Sequence, residues 1–326
     1  MTNKRILILS SSNDISTNKV IDWINHFGYE FDRFNDQIQV QIQKIVLNSQ
    51  EQYFIAYFNG TLVDSRNYSS YWYRRGVLLS ESLTSDENFE LDEYHHAVNK
   101  YITSDNEFVI KALHSILERK KCLGNFKNNF LSKIEVLIIA LEVGLEIPQT
   151  IITTDFSNIR GEFEKNCRLI TKSIQDSFRL VTPNGQLMQY TSELSEEPNT
   201  YFNPFSPSLI QSRINKDIEL RIFYLNGECF SAAIFSQSNI RTQVDFRKYD
   251  RVKPNRCVPY KIDEELENKI LKLMSSLELN TGSIDIIKTI EGKYIFLEVN
   301  PIGQFGQVSA PCNYYLEKKI AEYLCD

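Results

Sequence analysis

The residues best suited to chemistry lie near the end of the chain, in the run Tyr294-Ile295-Phe296-Leu297-Glu298-Val299-Asn300-Pro301-Ile302-Gly303. Its apolar residues read as a buried strand, yet a carboxylate and a carboxamide stand at the strand's end, just before a Pro-x-Gly stop. Side chains two apart on a strand share a face, so Glu298 and Asn300 form one oxygen-bearing edge where Pro301 and Gly303 end the ladder. Together with the residues from Gly282 onward, the segment reads as a β-hairpin with Glu291-Gly292 as its two-residue turn. That turn pairs Ile290 with Lys293 and brings Asp285 opposite Glu298. Directly opposed like charges destabilise a sheet, and a divalent cation removes the conflict. Mg²⁺ takes oxygen ligands from one or two carboxylates and completes its octahedron with water and substrate phosphates. Asp285, Glu298 and Asn300 are therefore candidate ligands for Mg²⁺ carrying a nucleotide. The competing reading is the solvent-facing end of an edge hairpin with Asn300 capping a turn, and a longer loop would shift the register and split the carboxylate pair.

The elements that must position these groups have room to do so. A chain of 326 residues supports two or three substructures with a substantial core, and 42% apolar with 24% charged residues is ordinary globular composition. The net charge of −6 argues against a general nucleic-acid binder, which needs a basic surface to displace counterions. Six cysteines, Cys122, Cys167, Cys229, Cys257, Cys312 and Cys325, occur without any C-x-x-C pair, so neither a disulfide framework nor a zinc site is expected. The apolar run after Met1–Arg5 is too short for a secretory signal, no window reaches a membrane span, and a reduced, cytoplasmic protein is the expectation. With His26, His95, His96 and His114 the only histidines, a histidine-built centre is disfavoured.

Lys4 to Asp14 open as a strand and polar turn, and Val20, Ile21, Ile24 and Phe27 follow at helical spacing before Gly28, an α/β beginning. The loop Ser10-Ser11-Ser12-Asn13-Asp14 carries neither G-x-G-x-x-G nor a P-loop pattern. A hairpin is predicted around Asn59-Gly60, then a strand ending in Arg74-Arg75, then helix over roughly 86–120. From 125 the texture changes to a capped helix carrying the apolar run 136–141, a Gly144 stop, a strand after Pro148, and a short strand with Lys172 inside it. Residues 183–208 carry most of the prolines and few aliphatics and read as a mobile loop region. A strand-rich final part follows, closed by a helix over 314–324.

This order of features resembles the ATP-grasp ligases. The resemblance is carried by Lys133 in Asn129-Phe130-Leu131-Ser132-Lys133, by Gly144-Leu145-Glu146-Ile147-Pro148-Gln149-Thr150, by Lys172, by Gln211-Ser212-Arg213-Ile214, by Arg221 in Asp217–Ile222, and most specifically by Leu297-Glu298-Val299-Asn300-Pro301 with Asp285 upstream. It covers about residues 125–326, and the first 120 residues look like a pre-ATP-grasp domain. More narrowly, the segments 131–150, 236–250 and 297–321 are similar to the ribosomal-peptide maturases that make graspetides, the microviridin-, plesiocin- and chryseoviridin-type ligases. The resemblance implies an α/β (α+β) ATP-grasp fold in three parts: a pre-ATP-grasp domain at 1–122, a central ATP-grasp subdomain at 123–209, and a C-terminal subdomain with the Mg-ATP site at 210–326.

The same resemblance implies roles. Lys133 and Lys172 would meet the triphosphate; taken alone, Lys133 is also a plain surface lysine on an amphipathic helix, whereas Lys172 interrupts an apolar strand where an ammonium needs an anion. Gln211, Ser212, Arg213 and Ile214 would offer backbone groups and a carboxamide to an adenine edge, unless they are simply a core strand. Arg221 would steady the γ-phosphate and then an acyl phosphate, with a Glu219–Arg221 surface ladder as the alternative. Arg241, Asp245 and Arg247 would meet an acidic side chain of the peptide, although such a charge run is otherwise a solvated face. The implied reaction uses ATP and Mg²⁺ to activate Asp or Glu side chains of a ribosomal precursor peptide, a leader plus an acidic core, and closes ω-ester rings with Thr or Ser hydroxyls. Amide formation or amino-acid addition is the alternative enzyme class, and a nucleotide-binding protein without catalysis the alternative outside it. Relatives imply a homodimer and no nucleic-acid or membrane partner.

Overall fold

The computed structural model describes residues 4–80, 93–164, 168–175, 179–182, 185–188, 191–194, 204–236 and 255–326. The chain divides into two compact units: residues 1–129 with 304–309 and 315–326, and residues 130–303 with 310–314.

The first unit opens with β1 (Arg5–Ser10), whose Ile6, Leu7, Ile8 and Leu9 are fully buried, as expected of a strand covered on both faces. Asp14 caps α1 (Ile15–His26), accepting from the Ser16 and Thr17 amides, and Val20, Ile21 and Ile24 form its buried stripe. There follow β2 (Glu30–Asn35), β3 (Gln37–Leu47), β4 (Gln52–Phe58), β5 (Thr61–Asp64), β6 (Ser70–Tyr73), β7 (Val77–Ser80), α2 (Glu93–Leu117) and β8 (Lys121–Leu123). One sheet is parallel, in the order β2-β1-β6-β8; the other runs β5-β4-β3-β7. The β4–β5 turn is Asn59-Gly60, both at positive φ, as the hairpin reading requires.

The second unit begins with α3 (Lys133–Glu142), capped by Ser132 and stopped at Gly144. Next come β9 (Thr150–Thr153), α4 (Ser157–Glu164), β10 (Leu169–Lys172), β11 (Arg179–Thr182), β12 (Gly185–Met188), β13 (Ser192–Glu193) and β14 (Ser208–Ser212). They form a four-stranded sheet, β13-β10-β14-β9, packed on α4 through Ile159, Leu169 and Ile210, and a separate β11–β12 hairpin. Part of the region 183–208 is thus ordered strand, in contrast to the all-loop expectation; 183–184, 189–190 and 195–203 lie outside the described residues. Lys172 is the last residue of β10, half-buried, where the sequence placed it inside the strand.

The remaining elements are β15 (Lys216–Leu225), β16 (Glu228–Phe235), β17 (Arg256–Pro259), α5 (Glu264–Ser276), β18 (Thr281–Thr289) and β19 (Tyr294–Asn300), followed by α6 (Gly306–Cys312) and α7 (Leu316–Cys325). The antiparallel sheet β17-β16-β15-β18-β19 has one face buried against α3 and α5, with Ile218, Leu220, Ile222, Ile284, Ile286 and Phe296 meeting Val136, Leu137, Ile270 and Leu273. Its other face carries the charged groups. The last helix, expected to close this sheet, belongs to the first unit and packs on α1, β6 and β8.

Candidate active site

Two irregularities in the five-stranded sheet decide which side chains reach its polar face. The β18–β19 turn is one residue longer than the sequence predicts: the Thr289 amide donates to the Lys293 carbonyl, leaving Ile290, Glu291 and Gly292 as a three-residue loop with Gly292 at φ 86°. Lys288, Ile287 and Ile286 then pair with Tyr294, Ile295 and Phe296, a register that would separate the carboxylates. A bulge restores it. Leu297 is an extra residue on β19, after which Asp285 pairs with Glu298, Ile284 with Val299 and Ser283 with Asn300. The bulge also turns the strand over: Phe296 lies in the apolar core, and Glu298 and Asn300 face the other way. The predicted pairing of Asp285 with Glu298 is present, reached by two compensating insertions rather than a tight turn.

The second bulge is on β15. Lys216 pairs with Thr289 and Ile218 with Lys288, so Asp217 is the extra residue. Simple alternation would put Lys216 on the core face with Ile218 and Leu220. The bulge aims it instead at the polar face, where it pairs with Glu219.

Cross-strand pairing aligns Ala232, Arg221, Asp285 and Glu298 in one row. Nη1 of Arg221 donates to both Asp285 oxygens at 2.5 Å, and both residues are buried. The alternative, a Glu219–Arg221 surface ladder, is absent: Glu219 is buried, accepts from Ser236 Oγ at 2.6 Å and is ion-paired to Lys216. Burial pushes the Asp285 carboxyl up to about 6; Arg221 opposes this, and the Glu298 and Glu219 charges add to it. An arginine in contact therefore does not fully offset the cost of burying the carboxylate. The Nε of Arg221 is buried without a hydrogen-bond partner among the described residues, an idle donor beside the carboxylates.

Lys133, at the first turn of α3, extends to this row. Its ammonium lies 3.9 Å from Glu298 and donates to the Gln175 carbonyl at 2.7 Å, three residues beyond Lys172. Asn300 Nδ2 stands 3.5 Å from Glu298 Oε1. β19 ends there: the Gly303 amide donates to the Asn300 carbonyl, and a Cβ on Gly303 would fall 2.1 Å from Ser283 Oγ, so only glycine fits this stop. Among the described residues no three His, Cys, Asp or Glu side chains cluster as a metal cage. The donor set of Asp285, Glu298 and Asn300 instead suits Mg²⁺, which needs only one or two carboxylates besides phosphate oxygens.

The adenine-edge expectation fares differently along its four residues. The buried Gln211 carboxamide donates to Thr150 Oγ1 at 2.9 Å, tying β14 to β9. The Ser212 and Arg213 amides bond the carbonyls of Gln149 and Arg168, and the Arg213 guanidinium pairs with Glu193. These donors are engaged within the fold, and Ile214 is half-buried. Arg241, Asp245 and Arg247 lie outside the described residues. Lys216 and Ser236 escaped the sequence reading. The signal for Lys216 was a lysine at a position that alternation assigns to the core.

No family model matches the chain, and no curated protein matches it. Solved structures do. A ribosomal-peptide-associated ATP-grasp ligase from Chryseobacterium gregarium, in complex with ADP and a leader and core peptide, superposes with a TM-score of 0.77 at 24% identity, covering 99% of this chain and 97% of that one. The macrocyclase MdnC from Microcystis aeruginosa, bound with precursor peptide MdnA, gives 0.73 at 25% identity over 98% and 99%. The ligase PsnB, complexed with minimal precursor, Mg and ADP, gives 0.69 at 14% over 98% and 96%. The fold is the ATP-grasp fold of peptide-modifying ligases over essentially the full length.

Proposed function

We propose that this chain is an ADP-forming ATP-grasp ligase that activates Asp or Glu side chains of a ribosomal precursor peptide as acyl phosphates and closes ω-ester rings with Thr or Ser hydroxyls. The observation that carries this reading is the row Arg221–Asp285–Glu298, assembled on one face by the bulge at Leu297, with Lys133 beside Glu298 and the Arg221 Nε without a partner among the described residues. Asp285, Glu298 and Asn300 would hold Mg²⁺, whose chemistry is to neutralise phosphate charge as the leaving ADP forms.

The chain's own residues supply positioning and charge. Arg221 offers its idle Nε and the rest of its fork to the γ-phosphate, then to the acyl phosphate, where charge develops. Lys133, already between Glu298 and the Gln175 carbonyl, meets the triphosphate together with Lys172. Gln211, Ser212, Arg213 and Ile214 border the base, in our reading through carbonyls and the Ile214 side chain. Arg241, Asp245 and Arg247 orient the peptide's carboxylate. A peptide carboxylate attacks the γ-phosphorus and ADP leaves; the acceptor hydroxyl then attacks the acyl carbon and phosphate leaves. No covalent enzyme intermediate is required. Segments 123–209 and 210–326 form the two ATP-grasp subdomains after a pre-ATP-grasp domain at 1–122, and the active species is a homodimer. Because ATP is the co-substrate and the precursor is ribosomal, the reaction belongs in the cytoplasm; no described helix is long and apolar enough to cross a membrane.

The test is mass spectrometry of an acidic, Thr-containing precursor incubated with the protein, ATP and Mg²⁺. Each ring loses one water, and base-labile products mark esters against amides. Addition of a residue, with a gain in mass, would replace this reading with the amino-acid ligase alternative.

A further inference from the structure

We propose that Lys216 is a positioning residue for Arg221: by holding Glu219 it prevents that carboxylate from capturing the arginine that the reaction needs. The inference rests on the reading of Arg221 given above and deepens it.

Glu219 and Arg221 are two apart on β15 and therefore share the polar face, within reach of each other's long side chains. A buried carboxylate beside a buried guanidinium is their natural ion pair, yet the pair does not form. Arg221 goes across the strand to Asp285, and Glu219 goes to Lys216 and Ser236, both on the same oxygen, Oε1. All of these groups are nearly inaccessible, so the partners are exchanged in a poorly screened setting where each matters.

The backbone is built for this arrangement. Lys216 reaches Glu219 only because Asp217 is bulged out; regular alternation would bury its ammonium among Ile218, Leu220 and the helices. Inserting one residue to re-aim one side chain is a recognised use of a bulge beside a site. Ser236, at the end of β16, completes the hold from the neighbouring strand. Charge is thereby sorted along the face: Lys216 with Glu219, Arg221 with Asp285, and Lys133 near Glu298.

The experiment measures ADP release, with kcat and KM for ATP and peptide, in Lys216→Met, Lys216→Arg and Lys216→Met/Glu219→Gln proteins, each checked for wild-type near-ultraviolet circular dichroism. Lys216→Met should lose at least about tenfold in kcat with KM for ATP within about threefold, because Arg221 is drawn to Glu219 while the lysines that bind nucleotide are untouched. Lys216→Arg should retain most turnover. Adding Glu219→Gln to Lys216→Met should recover it, since no carboxylate remains to compete. Wild-type kcat in Lys216→Met, or a double variant no better than the single, overturns the proposal. If Lys216→Met does not fold, Ser236→Ala removes the other hold without leaving a buried charge: kcat should fall about threefold and recover with Glu219→Gln, and no recovery overturns it. Arg221→Ala run alongside tells the readings apart. With that variant inactive, normal turnover in Lys216→Met removes the positioning role alone; with it active, both readings fall.

Discussion

Among the described residues two Arg–Asp pairs are buried, one in each unit, and their carboxyls are shifted in opposite directions. In the first unit Arg74 Nε donates to Asp14 at 2.8 Å, and in the second Arg221 donates to Asp285. Burial alone would raise both carboxyls. At Asp14 it is outweighed by the Arg74 and Arg75 charges and by hydrogen bonds, and the group ends below the ordinary carboxylate range. Asp14 also caps α1. At Asp285 burial prevails over the Arg221 charge, the Glu298 and Glu219 charges adding to it, and the group ends at about 6. The first pair ties Arg74 to the residue that caps α1. In the second, contact with the arginine does not make up for burial.

The largest expected effect separates the pairs by activity and stability together. Asp285→Asn and Glu298→Gln should each lower turnover by a factor on the order of 10² to 10³ or more, the scale of losing a preorganised electrostatic group. Without ligands, Asp285→Asn should hold or raise thermal stability, by about 3 kcal/mol at most, since the raised carboxyl measures how unfavourable its charge is in the fold. Asp14→Asn should do the reverse, destabilising the protein by about 3 to 5 kcal/mol by leaving the buried Arg74 charge without its carboxylate. Thermal melts of the two variants showing the same sign would erase the contrast.

Next in size is Gly303→Ala. The new Cβ would lie 2.6 Å from the Ser283 backbone nitrogen as well as against its side chain, so β18 or the strand stop must move. A loss of about 1 to 3 kcal/mol, read by urea unfolding, is expected, with turnover falling further than stability because Asn300 shifts.

Stability against pH sharpens the comparison further. The folded protein holds the Asp285 proton more tightly than the unfolded chain does, so this group makes stability fall as pH rises from 3.8 to about 6. His114 in the first unit acts oppositely. Burial pushes it down to about 3, so the unfolded chain takes up the proton first and stability is lost as pH falls below 6.5. Unfolding free energies across pH 4 to 6 should therefore gain a steeper positive slope in Asp285→Asn and a shallower one in His114→Gln. At the peptide, Arg247→Ala should weaken productive binding about ten- to a hundred-fold, the loss of roughly 1.5 to 3 kcal/mol of charge-assisted pairing, with ATP affinity unchanged by calorimetry.

What the sequence disclosed and what it hid follow from the range of the forces involved. The polar edge formed by Glu298 and Asn300 was legible because a carboxylate at the end of an apolar strand is a local anomaly, and Asn59-Gly60 because its turn chemistry is local too. The bulges at Asp217 and Leu297 were not, since an alternating pattern carries no mark of one inserted residue; the correct carboxylate pairing survived only because the long turn and the bulge cancel. Proline and glycine between 183 and 185 read as loop composition although the flanking residues pair as β11 and β12. The placement of α7 against α1 depends on contacts some three hundred residues apart in sequence, beyond any local pattern. Gln211 was legible as a strand residue, but its tie to Thr150 is a tertiary fact.

The most direct test of the account is calorimetric binding of a non-hydrolysable ATP analogue with and without Mg²⁺, in the wild-type and Asp285→Asn proteins. The proposed metal role of Asp285 predicts strong Mg²⁺-dependent binding in the wild type and loss of that dependence, by at least about tenfold in affinity, in a variant that melts no lower than its parent. Nucleotide binding that is equally Mg²⁺-dependent in both proteins would contradict the assignment of Asp285 and Glu298 to the metal and nucleotide.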